Sequence, residues 1–152
     1  SHDPSTEMYW KESFTALENA DKAIKIQNIS ITKIEMKKDV IDQLMRSLRG
    51  RVSNLRRITF NHTNLCGEGL LSLSTLVEQC PALHTLDISY NTIDDINVAT
   101  CISRALRSHP RILDLHLTHC NLGNNPEILS VILQSEVRDI FLSNNSIDSC
   151  GV

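Results

Sequence analysis

The sequence is short of most features that announce a chemistry or a compartment. No run of 18 apolar residues occurs, so no segment qualifies as a membrane-crossing helix, and no signal-peptide pattern opens the chain. Basic residues never cluster beyond pairs such as Lys37-Lys38 and Arg56-Arg57. With 15 Lys and Arg against 18 Asp and Glu, the formal charge is −3, which gives a nucleic acid nothing to hold. There is no H-E-x-x-H, no C-x-x-C and no phosphate-cradling glycine loop. Cys66-Gly67-Glu68-Gly69 reads as a loop running into a helix. His116, His119 and Cys120 invite a zinc reading, yet strand alternation puts His116 on one face and Cys120 on the other. No Ser-His-Asp set follows from spacing. The chain therefore reads as a non-enzyme that needs no metal and no cofactor. Its five cysteines, Cys66, Cys80, Cys101, Cys120 and Cys150, are odd in number and scattered. They read as reduced thiols of an intracellular, cytoplasmic protein rather than as a disulfide framework. Sequons at Asn28, Asn61 and Asn144 fall in or beside expected strands and read as chance triplets.

What the sequence does contain is repetition. At 152 residues and 41% hydrophobic content there is room for one ordinary domain with a full core. The central stretch has Leu83, Leu86, Ile88, Asn91 and Ile93 at relative positions 0, 3, 5, 8 and 10. The same phrase recurs as Ile26, Ile29, Ile31, Ile34, Met36; as Leu55, Ile58, Phe60, Thr63, Leu65; as Ile112, Leu115, Leu117, Cys120, Leu122; and as Val137, Ile140, Leu142, Asn145, Ile147. The start positions 26, 55, 83, 112 and 137 are spaced by 29, 28, 29 and 25 residues. A leucine-rich-repeat phrase in near-fixed period predicts a solenoid of stacked strand–helix units.

Positions 3 and 5 flank one outward residue, which is strand alternation. Position 8 lies where the chain turns out of the strand, and an asparagine there satisfies turn backbone groups that would otherwise be buried unpaired. Asn91 and Asn145 suit this role, with Cys120 and Thr63 as substitutes. Ile34 cannot fill it, which marks the first copy as terminal.

Strands are expected at 26–31, 55–60, 83–88, 112–117 and 137–142, and helices at 38–48, 68–79, 97–107 and 126–134. Pro81 and Pro110 follow two of the helices and Pro126 opens the last. Apolar residues at helical spacing define the inward faces: Val40, Ile41, Leu44, Met45 and Leu48; Leu70, Leu73, Leu76 and Val77; Val98, Cys101, Ile102, Ala105 and Leu106; Ile128, Leu129, Ile132 and Leu133. A first helix at 4–24 carries Tyr9, Trp10, Phe14, Leu17 and Ile24 and reads as a cover for the open end of the stack. The expected division is a capping helix in residues 1–25 and repeats in 26–152, about four full units and a partial fifth. The fifth copy reaches Ile147 before its helix, so either residues 150–152 fold over its edge or the sequence is a piece of a longer protein, the reading taken here.

The 28–29 residue units leave space for a true helix. The unit from Leu55 to Leu70 (LRRITFNHTNLCGEGL) resembles the ribonuclease-inhibitor-like leucine-rich repeats. That resemblance spans roughly residues 26–147. It implies a right-handed α/β horseshoe fragment with a concave parallel sheet and convex helices. Proteins of this kind include ribonuclease inhibitor, the sensor ends of NOD-like receptors, Ran GTPase-activating proteins, and repeat domains of tropomodulin, leiomodin and CARMIL-type actin regulators. The resemblance implies protein binding in a larger scaffold or regulator. It leaves three other readings: a ligand-sensing or inhibitory domain of a receptor-like protein, an actin or cytoskeletal regulator, and a GTPase-activating protein. The last needs an arginine on a strand-to-helix loop, and the loops 65–69, 92–97 and 121–126 have none.

Stacking the phrases also predicts the columns of the concave face. Between positions 3 and 5 stand Ser30, Thr59, Asp87, His116 and Phe141. The column before holds Asn28, Arg57, Thr85, Asp114 and Asp139; the column after holds Thr32, Asn61, Ser89, Thr118 and Ser143, followed by Lys33, His62, Tyr90, His119 and Asn144. An acidic ladder of Asp87, Asp114 and Asp139 interleaved with Tyr90, His116, His119 and Phe141 is the composition of a binding hot spot. It predicts a protein partner that seats a basic segment there, and no nucleic-acid or membrane partner.

Overall fold

The computed structural model describes residues 4–21, 23, 25–109, 112 and 114–147, with side chains from Trp10 onward. The expectations placed on Tyr9, Ile24, Pro110 and Cys150 with the following tail fall outside that description. The described chain runs α1 (Pro4–Asn19), β1 (Asn28–Thr32), α2 (Lys38–Ser47), β2 (Arg57–Asn61), α3 (Glu68–Glu78), β3 (Thr85–Asp87), α4 (Ile96–Ser108), β4 (Asp114–His116), α5 (Pro126–Leu133) and β5 (Asp139–Phe141). Short 3-10 turns at Val52–Asn54 and Leu122–Asn124 tighten two of the connections.

The five strands form one parallel sheet in chain order, β1-β2-β3-β4-β5. Parallel neighbours need a long crossover, and one helix supplies each of them. The register follows the repeat phrase: Ile29 pairs with Ile58, Ile58 with Leu86, Leu86 with Leu115 and Leu115 with Ile140. These residues turn to the helices, and Ile58, Leu86 and Leu115 are essentially without solvent exposure. Helices α2 to α5 pack side by side in chain order, so every unit closes the core of its neighbour. Leu73, Val77, Leu86, Ile102 and Leu106 enclose a space with no room for a water molecule. A core this tight loses about 2–5 kcal/mol for each Leu-to-Ala truncation.

The helix faces read from the sequence hold with three shifts. In α4, Ala99 is buried and Cys101 is only half-buried. Leu133, expected inward, lies at the last turn of α5 and is 54% exposed. The end of α5 has no helix beyond it among the described residues, so periodicity alone does not bury that side chain. The first helix ends at Asn19, earlier than expected. It packs on α2 through Trp10 and Phe14, whose rings sit 5.2 Å apart. The buried guanidinium of Arg51 then donates to the carbonyls of Leu17, in the last turn of α1, and Ala20, just beyond it. Cys66, Cys80, Cys101 and Cys120 are all free thiols.

Two glycines are fixed by close approach. A Cβ on Gly123 would stand 2.2 Å from the Asn145 carbonyl oxygen, and one on Gly69 would stand 2.7 Å from the Met36 carbonyl oxygen. Both lie where one unit presses on the backbone of the next.

Candidate functional site

The face of the sheet turned away from the helices carries the side chains between the core positions. Residues leaving the strands adopt the left-handed conformation in all five units: Lys33, His62, Tyr90, His119 and Asn144, with φ of 61°, 54°, 62°, 55° and 58°. Each therefore leaves its strand at the same angle. Because parallel strands lie about 4.8 Å apart, side chains in such a row meet their neighbours face to face.

Flat rings exploit this spacing. The Tyr90 ring stacks between His62, at 4.3 Å and 16°, and His119, at 5.5 Å and 29°. One row back, His116 stacks on Phe141 at 4.2 Å and 6°. Contacts of this kind each contribute about 0.5–1.5 kcal/mol beyond area burial. Tyr90 and Phe141 remain 39% and 44% exposed. The structure thus brings Tyr90, His116, His119 and Phe141 together as two adjacent shelves of rings. It adds His62, which shares the Tyr90 row and which composition alone did not single out.

The acidic residues stand in the two columns that the spacing predicts. Asp114 and Asp139 face each other in register, whereas Asp87 pairs with His116 one row over. The acids form a step rather than a line, because a two-residue shift along the phrase moves a side chain to the next row of the same face. Thr85 and Ser89, expected on the surface, are buried. Each is hydrogen-bonded: His84 Nδ1 lies 2.9 Å from Thr85 Oγ1, and Ser89 Oγ accepts from the Thr118 backbone N–H of the next unit at 2.9 Å. Asp87 Oδ1 in turn accepts from the Ser89 N–H at 3.1 Å. Among the described residues neither Asp87 nor Asp114 has an ion-pair partner, and Asp139 lies 3.9 Å from its neighbour Arg138.

Below the rings the turns are locked by asparagine. Asn91 Oδ1 accepts from the N–H groups of Thr63 and Leu65 at 3.1 and 3.0 Å and from the Thr63 hydroxyl at 3.1 Å. Its Nδ2 donates to the carbonyls of Phe60, Ile88 and Ser89. Asn145 repeats the pattern, taking the N–H groups of Cys120 and Leu122 and donating to Leu117, Leu142 and Ser143. Each amide reaches back one unit, to Thr63 or Cys120, and these two fill position 8 of their own units as weaker donors, the Thr63 hydroxyl lying 3.4 Å from the Phe60 carbonyl oxygen. The Cys120 thiol donates weakly to the Ile88 carbonyl at 3.5 Å. Burial pushes this thiol up to about 11, against the lowering effect of backbone hydrogen bonds from Asn91 and Tyr90. Burial likewise pushes the Cys80 thiol up to about 12. Both are inert packing groups at neutral pH.

No protein-family model matches the chain, and no characterised protein matches it by sequence. Solved structures do match. The tropomodulin C-terminal domain of Caenorhabditis elegans superimposes with a TM-score of 0.63 at 16% identity, over 88% of this chain and 82% of that one. The actin-binding site 2 of leiomodin-1 superimposes with a TM-score of 0.65 at 11% identity, over 88% of this chain and 78% of that one. At such identities the likeness speaks for the fold. Among the described residues no helix is long and apolar enough to cross a membrane. The chain has a leucine-rich-repeat-like α/β fold built on a five-stranded parallel sheet.

Proposed function

We propose that the chain is a non-enzymatic protein-interaction module and that its open sheet face binds a cytoskeletal partner, with actin as the first to test. One observation carries the reading. The sequence has only six Phe, Tyr and Trp residues, and two of them, Tyr90 and Phe141, stand exposed on the same face amid three histidines. A protein poor in aromatics that stacks them on its surface presents a patch suited to burial against another protein. The likeness to the actin-binding site 2 of leiomodin-1 supports actin over other partners. Asp87, Asp114 and Asp139 around the rings suit a basic segment of that partner. Tyr90, His116, His119 and Phe141 supply the apolar contact.

In this reading residues 1–25 cover the first unit and 26–152 continue a curved, ribonuclease-inhibitor-like solenoid, supported by the 28–29 residue period and a helix in each crossover. The protein works inside the cell. Co-sedimentation with filamentous actin and filament-end elongation assays test the proposal, comparing wild type with the Tyr90→Ala, Phe141→Ala double variant. Binding by the wild type that weakens at least about tenfold in the variant is expected, since two ring anchors are lost. A wild type that neither sediments with actin nor alters elongation overturns the actin reading. Equal binding by both proteins overturns the face.

A further inference from the structure

The ring stack on β4 and β5 has Phe141 on one side of His116 and, among the described residues, no ring on the other. Phe141 covers the His116 imidazole nearly parallel, at 6° and 4.2 Å, on the side towards β5. The opposite face of the same imidazole looks towards β3. The residue in register there is Asp87, too short to cover a ring. Its Oδ1 is turned down to the Ser89 N–H, which leaves Oδ2 uncommitted, and it has no ion pair among the described residues. On that side Arg57 of β2 donates through Nε to Thr59 Oγ1 at 3.4 Å, Thr59 being the residue in register with Asp87. Asp114 adds a second carboxylate one row away, also without an ion pair among the described residues.

A ring face that no other ring covers, with a carboxylate at its foot, fits one cationic side chain in particular. A guanidinium is flat and stacks on rings. It also presents N–H groups in a fork that matches a carboxylate, whereas an ammonium is a compact, strongly hydrated charge with no plane to stack. We propose that the His116–Asp87 corner is an arginine slot: a partner arginine lies on the free face of His116, continuing the Phe141–His116 stack, and donates to Asp87. The inference deepens the reading of this face as an interaction surface and rests on it. It specifies that the basic segment is read through arginine and not through charge alone.

The test uses two blocked pentapeptides, Gly-Gly-Arg-Gly-Gly and its lysine counterpart, titrated into the full chain at millimolar concentration. The readout is the pair of carbon-bound ring-proton resonances of His116 by NMR. Saturable shifts with the arginine peptide, at least about fivefold tighter than with the lysine peptide, are expected from stacking added to a forked hydrogen bond. Asp87→Asn keeps an oxygen for the Ser89 N–H and should abolish that preference while leaving the backbone amide spectrum in place. His116→Leu is the second variant. It removes the ring face, and arginine and lysine peptides should then shift neighbouring backbone amides alike. Equal affinity for the two peptides, or an arginine preference that survives both substitutions, overturns the slot. Arginine selectivity in a protein that does not sediment with actin removes only the actin reading. Actin binding without arginine selectivity removes only the slot.

Discussion

The turn after β3 and the turn after β1 share a backbone form and differ in what holds them. Tyr90 and Lys33 leave their strands with φ of 62° and 61°. Behind Tyr90 stands Asn91, with six hydrogen bonds, four of which tie the third unit to the second. Behind Lys33 stands Ile34, half-buried and unable to make any of them. Both turns are also pinned from the next unit through main-chain bonds, Lys33 N–H to the Asn61 carbonyl and Met36 N–H to the Thr63 carbonyl in the first, Tyr90 N–H to the Thr118 carbonyl and Ile93 N–H to the Cys120 carbonyl in the third. The difference teaches that the position-8 residue looks backwards. An amide at this position adds side-chain bonds to the turn of the preceding unit, and a first unit has no such turn to fasten.

The largest expected effect follows directly. Asn91→Ala leaves the buried N–H groups of Thr63 and Leu65 and the Phe60 and Ile88 carbonyls without that partner. It should destabilise the fold by about 3–5 kcal/mol in urea titration, since each stranded group costs about 1–3 kcal/mol. A loss under 1 kcal/mol would sink the claim that the amide, and not strand pairing, fixes the unit-to-unit join. Next comes Gly123→Ala, whose methyl would push the Asn145 turn away from the fourth unit. An overpacking cost of about 2–3 kcal/mol is expected, read as a lower thermal midpoint with the same far-ultraviolet spectrum.

The alkaline limb of stability is a third, smaller effect. Cys80 and Cys120 have folded-state values pushed by burial from 9.0 to about 12 and about 11. Their stabilisation is full below pH 9. Above it the unfolded chain loses thiol protons that the folded chain keeps, so stability declines as pH rises towards 11. The slope approaches about 1.4 kcal/mol per pH unit for each thiol. Cys80→Ala should shallow that decline in urea melts at pH 8, 9 and 10, and an unchanged slope would remove its cause. The smallest effect closes the comparison: Ile34→Ala should cost only about 1 kcal/mol, the loss of half-buried apolar surface without a broken polar network. If it matched Asn91→Ala, the two turns would not differ as described.

The fold was legible because five phrases in near-constant period fix both strand register and core. The pairing of Asn28, Arg57, Thr85, Asp114 and Asp139 can be read from spacing before any coordinate. What spacing could not show was which surface position would be recruited inward. Thr85 and Ser89 are small polar residues whose burial goes with hydrogen bonds that spacing does not reveal, Thr85 to the adjacent His84 and Ser89 to Thr118 of the next unit. The candidate site was half legible. Tyr90 and Phe141 stood out as rare residues, but His62 became part of the shelf only through its shared left-handed row with Tyr90. That row was visible in the sequence as the residue before each position 8. The Arg51 contact to α1 was not legible at all, because it joins residues 31 and 34 positions apart through main-chain carbonyls.

The left-handed row carries a consequence for how such a surface can change. L-residues with a side chain sit there at a cost of about 1–2 kcal/mol relative to the right-handed form, whereas glycine accepts it freely. Lys33, His62, Tyr90, His119 and Asn144 are therefore tolerated at these sites, not required by the wall beneath them. The asparagines and leucines behind keep the architecture, so the identities along the row are free to drift towards a new partner while the scaffold keeps its shape.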